Sequence, residues 1–218
     1  MNIVIIGGGR HALVVRDCLL ASPAQIVGIL DDRIDTGTFV GDLTVIGPVA
    51  SLTDLKHRHP ALHGIIAIGD NHSRRRIAER IAVMLPGFDW AKAIHASAIV
   101  SPSAHIAPGA VVVAGAIINC HAVIEPHALV NTGSIIDHDS RLGAFASTGP
   151  GVVTGGNVSI GTGSHIGLGA VLSHGIHVGD HAVVGGNSFV SRNIPDHTVS
   201  YGSPARVIRS RNEYDVYL

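Results

Sequence analysis

Cysteine is nearly missing. Cys18 and Cys120 are the only two in 218 residues. They supply no disulfide framework, and a reducing cytoplasm is the expected compartment. Cys120 has no motif around it and is assigned to packing. Aromatic residues are also scarce, at 4%, with a single Trp. A core of Ile, Val, Leu and Ala with so few rings suits narrow, regular layers rather than an irregular globule. An excess of either charge is lacking too: 15 Lys and Arg against 16 Asp and Glu leave a net charge of −1. The longest basic run, Arg74-Arg75-Arg76, falls in a predicted helix, so the electrostatic footprint of nucleic-acid binding is missing. No apolar run approaches the roughly 20 residues that a membrane span needs. The opening Met1-Asn2-Ile3-Val4-Ile5-Ile6-Gly7 has neither a basic leader nor a cleavage site, and reads as a first β-strand.

Glycine (27) and histidine (15) are plentiful instead. Their placement follows a period. Every sixth residue from Ile94 to Val190 is Ile, Leu or Val in 15 of 17 positions, with no insertion; the exceptions are Thr148 and Thr154. Helices repeat every 3.6 residues and strands every two, whereas a hexapeptide parallel β-helix repeats every six. Small residues, such as Ala98, Ala104, Ala110 and Ala116, stand two places before the apolar column. Glycine follows that column at 143, 149, 155, 161, 167, 179 and 185. The apolar residues are expected to point inward and the small ones to fit the corners, with glycine accepting positive φ there. Three hexads make an 18-residue triangular coil. Nearly six coils stacked about 4.8 Å apart give a prism roughly 27 Å long.

Residues 1–90 have another rhythm. Strands are predicted over 2–6, 25–30 and 65–68, and helices over 10–20, 48–57 and 72–85, with Pro86-Gly87 as the break. Strand–helix alternation implies a small parallel sheet of Rossmann-like type. The fold class is therefore α/β plus all-β: a Rossmann-like domain over 1–90, then a β-helix with a C-terminal tail over 91–218. The open prism ends need covers, expected from the N-terminal domain at one end and from the segment after Val190 at the other.

Two segments carry chemistry. In Val130-Asn131-Thr132-Gly133-Ser134-Ile135-Ile136-Asp137-His138-Asp139, His138 comes two places after an inward Ile, is expected to face out from a flat side, and is flanked by carboxylates. A neighbouring carboxylate raises an imidazole pKa and fixes its tautomer, which suits a general base. Gly7-Gly8-Gly9-Arg10-His11-Ala12 joins a strand to a helix N-terminus, a natural phosphate site, with Asp31-Asp32 about twenty residues on. The domain is too short for a full dinucleotide fold.

These motifs, in this order, resemble the hexapeptide-repeat sugar N- and O-acetyltransferases of the bacillosamine, perosamine and sialic-acid type. The likeness also covers Ala67-Ile68-Gly69-Asp70-Asn71, Ile94-His95-Ala96-Ser97-Ala98, Gly156-Asn157-Val158 and Gly202-Ser203-Pro204-Ala205. It implies a left-handed helix, a homotrimer with sites between prisms, and transfer from acetyl-CoA to the amino group of a nucleotide-linked amino sugar. His138 would be the base, Asp139 its orienting partner, and Asn131 a neighbour of the acceptor group. Asp137 is an equal candidate for the orienting role. Gly9, Arg10, His11, Asp31 and Asp32 would hold the nucleotide-sugar. Ser147, Gly156, Leu168 and Gly186 map to coenzyme contacts, although corner geometry explains the glycines equally well.

Two positions depart from the family. Arg10 stands where Gly is common, and Ser147 stands where many members carry a second, coenzyme-contacting His. Ser147 keeps open a sugar-nucleotide-binding protein without turnover. O-acetylation of sialic acid or a related sugar is a further alternative, and so is a zinc hydratase of γ-carbonic-anhydrase type. For the hydratase, His138 and His174 lie 36 residues apart, two coils, and are expected in one column about 10 Å apart. His177 and His181 fall in other columns, and no metal is expected.

Overall fold

The computed structural model describes residues 1–20, 22–212, 214 and 215. The ends of the predicted tail, residues 216–218, lie outside the described residues. The N-terminal part runs β1 (Asn2–Ile6), α1 (His11–Leu19), β2 (Gln25–Leu30), β3 (Phe39–Val40), β4 (Leu43–Gly47), α2 (Leu52–Arg58), β5 (Leu62–Ile66) and α3 (Asn71–Met84). Its sheet has the order β3-β4-β2-β1-β5, parallel except for the β3–β4 hairpin. That hairpin was not foreseen, because β3 has only two residues and Phe39 is exposed. Ile3, Ile5, Ile29 and Ile65 are fully buried in this sheet. Asp70 caps α3 by accepting a hydrogen bond from Ser73 N at 2.8 Å.

Seventeen two-residue strands follow, from β6 (Ala93–Ile94) to β22 (Phe189–Val190). They form three flat faces of a left-handed prism. Face one holds Ala93–Ile94, Val111–Val112, Leu129–Val130, Ser147–Thr148, His165–Ile166 and Val183–Val184. Face two runs from Ile99–Val100 through Ile135–Ile136 and Val153–Thr154 to Phe189–Val190. Face three runs from His105–Ile106 through Arg141–Leu142 to His177–Val178. The six-residue column fills the interior: Val112, Ile124, Val130, Leu142, Ile166, Val178 and Val184 are wholly buried, with Ala110, Ala116, Ala122 and Ala128 between them.

Three expectations change. The glycine after each inward residue does not supply positive φ. That conformation falls three places after the inward residue, at Gly109, Gly115 and Gly133 but also at His127, Asp139, Phe145 and Asn157. Glycine after the inward residue has a different cause: a Cβ at Gly143 or Gly155 would lie 2.8 Å from backbone of the next coil. The N-terminal domain, moreover, lies along the flank of the prism rather than across its end. Helix α1 packs on β6 and on the Val111–Val112 strand, and Val111, Val113 and Leu129 share its apolar core. The far end does receive the later segment: β23 (Thr198–Gly202) pairs with Val183–Val184 and turns back as β24 (Ala205–Ser210). Finally, Cys120 is exposed rather than packed.

Arg74, the first residue of the basic run, ties the two parts together. It is 2% exposed. Its guanidinium donates to the carbonyls of Ile68 (2.8 Å) and Gly69 (2.9 Å) in its own domain, and to those of His127 (2.8 Å) and Phe145 (2.9 Å) in the prism. Asn71 reaches the carbonyls of Gly163 and Ser164. Among the described residues, no helix is long and apolar enough to cross a membrane.

Candidate active site

His138 sits in the corner between faces two and three, in the turn after Ile135–Ile136, and not on a flat side. A corner, unlike a strand, frees the side chain from neighbours on both sides. Asp139 takes the positive φ of this turn (56°), a conformation that Asp tolerates better than most residues. This turns its carboxylate onto His138: Nδ1 and Asp139 Oδ2 are 2.8 Å apart. The pairing leaves Nε2 free to take a proton once Nδ1 carries one. The hydrogen bond to Asp139 raises the His138 pKa above its ordinary value, aided by the charges of Asp137 and Asp139.

Asp137 is engaged elsewhere. Its Oδ1 accepts from His138 N (2.8 Å) and from Asn119 Nδ2 (2.7 Å), and these bonds lower its pKa. The geometry thus separates the two carboxylates that the sequence left equivalent: Asp139 meets the ring and Asp137 the backbone.

Gly156 lies one coil on, beneath the imidazole, and a Cβ there would fall on the His138 ring. His174 follows in the same column, its ring 6.4 Å from that of His138. The two rings lean toward each other, which makes them closer than two coils of strand spacing. Cys120 precedes His138 in this column; its carbonyl accepts from Asp139 N at 3.0 Å. No cluster of three or more His, Cys, Asp or Glu residues able to hold a metal occurs among the described residues.

Asn131, Leu168 and Gly186 occupy a second corner, between faces one and two. Leu168 is 60% exposed, and its backbone and side chain lie against Gly186. Within one chain, face two separates this corner from His138. The outward residues of face two are Ile99, Ile117, Ile135, Val153, Val171 and Phe189, an apolar column in which none is fully buried. The structure places Ser147 apart from both corners: on face one, 2% exposed, with its hydroxyl 2.8 Å from His165 Nδ1. Burial, then Arg74, lowers the His165 pKa to about 4.

The N-terminal domain has a cavity of about 550 Å³, lined by Gly9, Arg10, His11, Asp31, Asp32 and, unforeseen, by Ile68, Ser73, Arg76 and Arg80. It opens where the Gly-rich turn meets α1. The Asp31 carboxylate accepts from Gly8 N (2.6 Å), Arg33 N (2.7 Å) and Ile34 N (3.1 Å), so much of its capacity is spent shaping the turn. Asp32 accepts from Val49 N and pairs with Arg80. Arg10, Arg33 and Arg76, which line the wall and pair with no carboxylate among the described residues, therefore supply its positive charge. Burial first, and Arg74 second, lower the His11 pKa to about 4, so at neutral pH it offers one N–H and no charge. No motif marks Arg76 and Arg80 in the sequence, where the basic run reads only as part of a helix. Their spacing of four puts both on one helix face.

Comparison with known proteins finds relatives over both parts of the chain. Residues 2–81 fit the family described as the PglD N-terminal domain. The UDP-N-acetylbacillosamine N-acetyltransferase of Bacillus subtilis (strain 168) is 38% identical over 104 residues, 47% of this chain. The matched stretch spans 46% of that enzyme, so the likeness to this curated relative covers about half its length. PerB from Caulobacter crescentus, solved with CoA and GDP-perosamine, is 36% identical with a TM-score of 0.87, covering 96% of this chain and 98% of that one. The acetyltransferase domain of PglB from Neisseria gonorrhoeae FA1090, solved with acetyl coenzyme A, is 34% identical with a TM-score of 0.87, covering 95% and 98%.

Proposed function

Since the chain belongs to the family of acetyl-CoA-dependent sugar N-acetyltransferases, we propose that it acetylates the amino group of a nucleotide-linked amino sugar, with His138 as the base. The pairing of His138 Nδ1 with Asp139, which leaves Nε2 in an open corner, is the observation that carries this reading. The GDP- and UDP-linked sugars in the names of the relatives are support for a nucleoside diphosphate as the ligand of the N-terminal cavity. There Arg10 and Arg76 supply charge, and Gly9 and the neutral His11 supply N–H donors.

In the reaction His138 Nε2 takes a proton from the sugar amine as its nitrogen attacks the thioester carbonyl carbon. The tetrahedral oxyanion collapses, the C–S bond breaks, and the proton passes to the CoA thiolate. Asp139 steadies the transient imidazolium. Asn131 has its Oδ1 occupied by Thr132 N at 2.8 Å, so its amide nitrogen is the end offered to the acceptor or the oxyanion.

The catalytic unit is a homotrimer in this reading. The apolar column of face two is support for it, since a flank of Ile, Val and Phe favours burial against a second prism. Such packing brings the His138 corner of one chain toward the Asn131–Leu168–Gly186 corner of the next, and acetyl-CoA runs between them. Glycines 156 and 186 keep that cleft open. Dependence on acetyl-CoA and on nucleotide-sugars makes the cytoplasm the working compartment.

The test is acetyl-CoA turnover with UDP-, GDP- and dTDP-linked amino sugars. With an accepted substrate, His138→Ala is expected to lower kcat by about a hundredfold or more while the fold persists. Turnover near the parent's would overturn the assignment of the base.

A further inference from the structure

Between His95 and Ser173, the threonines that interrupt the six-residue column mark the two places where the amide after an inward residue donates to a side chain instead of a ladder carbonyl. From His95 to Ser173, the amide after each inward residue donates to the carbonyl of the inward residue one coil on. Examples are Asn119 to Ile136 (2.9 Å), Glu125 to Leu142 (3.0 Å) and Gly143 to Ile160 (2.8 Å). Asn131 N donates instead to the Thr148 hydroxyl (3.0 Å), and Asp137 N to the Thr154 hydroxyl (2.9 Å). Strand pairing lapses at the same points: Leu129 pairs with Ser147 and Ile135 with Val153, and the second pair of each ladder drops out.

Both hydroxyls are sealed in the prism, at 1% and 2% exposure. Fifteen other inward positions do without one. A buried hydroxyl costs free energy unless it is hydrogen-bonded, and that hydroxyl is what keeps Thr from being interchangeable with the Val found elsewhere in the column. The Thr148 hydroxyl continues into a chain: it lies 3.0 Å from Ser134 Oγ, which donates to Gly149 O at 3.0 Å. The segment between the two altered bonds, Asn131 to Asp137, connects the two corners of the proposed site, and Asp137 Oδ1 in turn holds His138 N.

We infer that Thr148 and Thr154 are positioning residues. By replacing a ladder carbonyl with a hydroxyl on a side-chain stem, they draw Asn131 N and Asp137 N off the regular ladder and so set where Asn131 and His138 point. Neither threonine touches substrate. This rests on the reading of His138 as the base and extends it to the residues behind it.

The test compares Thr154→Val, Thr154→Ser and Thr148→Val in the full-length protein with an accepted acceptor, alongside His138→Ala. Displacements approaching an ångström in a catalytic group cost about ten- to a hundredfold, so each Val variant is expected to lose kcat in that range. Its KM for acetyl-CoA should change little, and its Tm should fall modestly, since one backbone amide loses its hydroxyl acceptor. Thr154→Ser keeps the hydroxyl and should stay within about twofold. Parental kcat in both Val variants, with His138→Ala inactive, overturns the positioning role and leaves the base intact. Activity in His138→Ala overturns the base itself. A Val variant that folds poorly is replaced by Thr154→Ala; there, parental kcat overturns the proposal, and a loss that Thr154→Ser does not show supports it.

Discussion

Acidification from pH 7 to 5 should loosen the contact between the two parts of the chain well before the carboxylates titrate. His127 is 6% exposed, its ring stacked on Phe145 at 5.0 Å and edge-on to Trp90 at 4.6 Å. Burial first, and Arg74 second, lower its pKa from 6.5 to about 4. His11 and His165 are lowered to about 4 by the same two causes in the same order. A histidine depressed in the folded state takes up its proton in the unfolded chain first. Its contribution is complete above pH 6.5 and is lost as the pH falls toward 4. For one such group the loss between pH 7 and 5 is about 2 kcal/mol. Three together lose about 6 kcal/mol, a large share of the roughly 5–15 kcal/mol of a folded domain. Urea unfolding at pH 7, 6 and 5, followed by Trp90 fluorescence, reads this directly, because Trp90 contacts His127. His127→Asn keeps a residue that tolerates the left-handed backbone (φ 57°) but does not titrate, and should remove about a third of the dependence. A stability that is flat from pH 7 to 5, or a His127→Asn slope equal to the parent's, would refute the reasoning.

Four further outcomes follow from the site. Asp139→Asn removes the carboxylate that holds the His138 pKa up; the acid limb of kcat/KM should move to lower pH and kcat should fall about tenfold or more, and an unmoved limb would show that Asp139 does not control the ring. Gly156→Ala puts a methyl group where the His138 imidazole lies, so kcat should drop about tenfold while the Tm moves little; parental kcat would mean the ring is free to leave. Ile135→Asp, placed in the centre of the apolar column, should convert a trimer to monomers in sedimentation, and a parent that is already monomeric would end the trimer reading. Arg76→Ala should raise KM for the nucleotide-linked acceptor about tenfold, the worth of one charge-assisted contact, with KM for acetyl-CoA unchanged.

The prism was legible because its physics is one-dimensional: each inward residue meets the one 18 places on, so spatial neighbours stay in arithmetic register along the chain. The same arithmetic put His138 and His174 in one column. It failed where side-chain direction mattered. The count put His138 on a flat side, whereas the turn geometry at Asp139 puts it in a corner, and no spacing rule distinguishes Asp137 from Asp139. Cys120 was misread for the same reason, since a corner position looks like any other polar gap in the hexad. In the N-terminal domain the Gly-rich turn and Asp31-Asp32 were visible as a motif. Arg74, Arg76 and Arg80 were not, because three exits from one helix depend on what that helix packs against. The two threonines were noticed as a lapse in pattern; that they change hydrogen-bond acceptors is a property of backbone registry that sequence does not display.

The Arg74 guanidinium holds the wall of the N-terminal cavity at Ile68 and Gly69 with one edge, and two successive coils of one prism corner, at His127 and Phe145, with the others. Hinge motion between the parts would break several bonds at once around a side chain that is 2% exposed. Under the proposed function, such a contact fixes the gap from that cavity to the His138 corner, so an acceptor would be sorted by how far its amine stands from its diphosphate, with the orientational entropy of that match settled at folding rather than in each encounter.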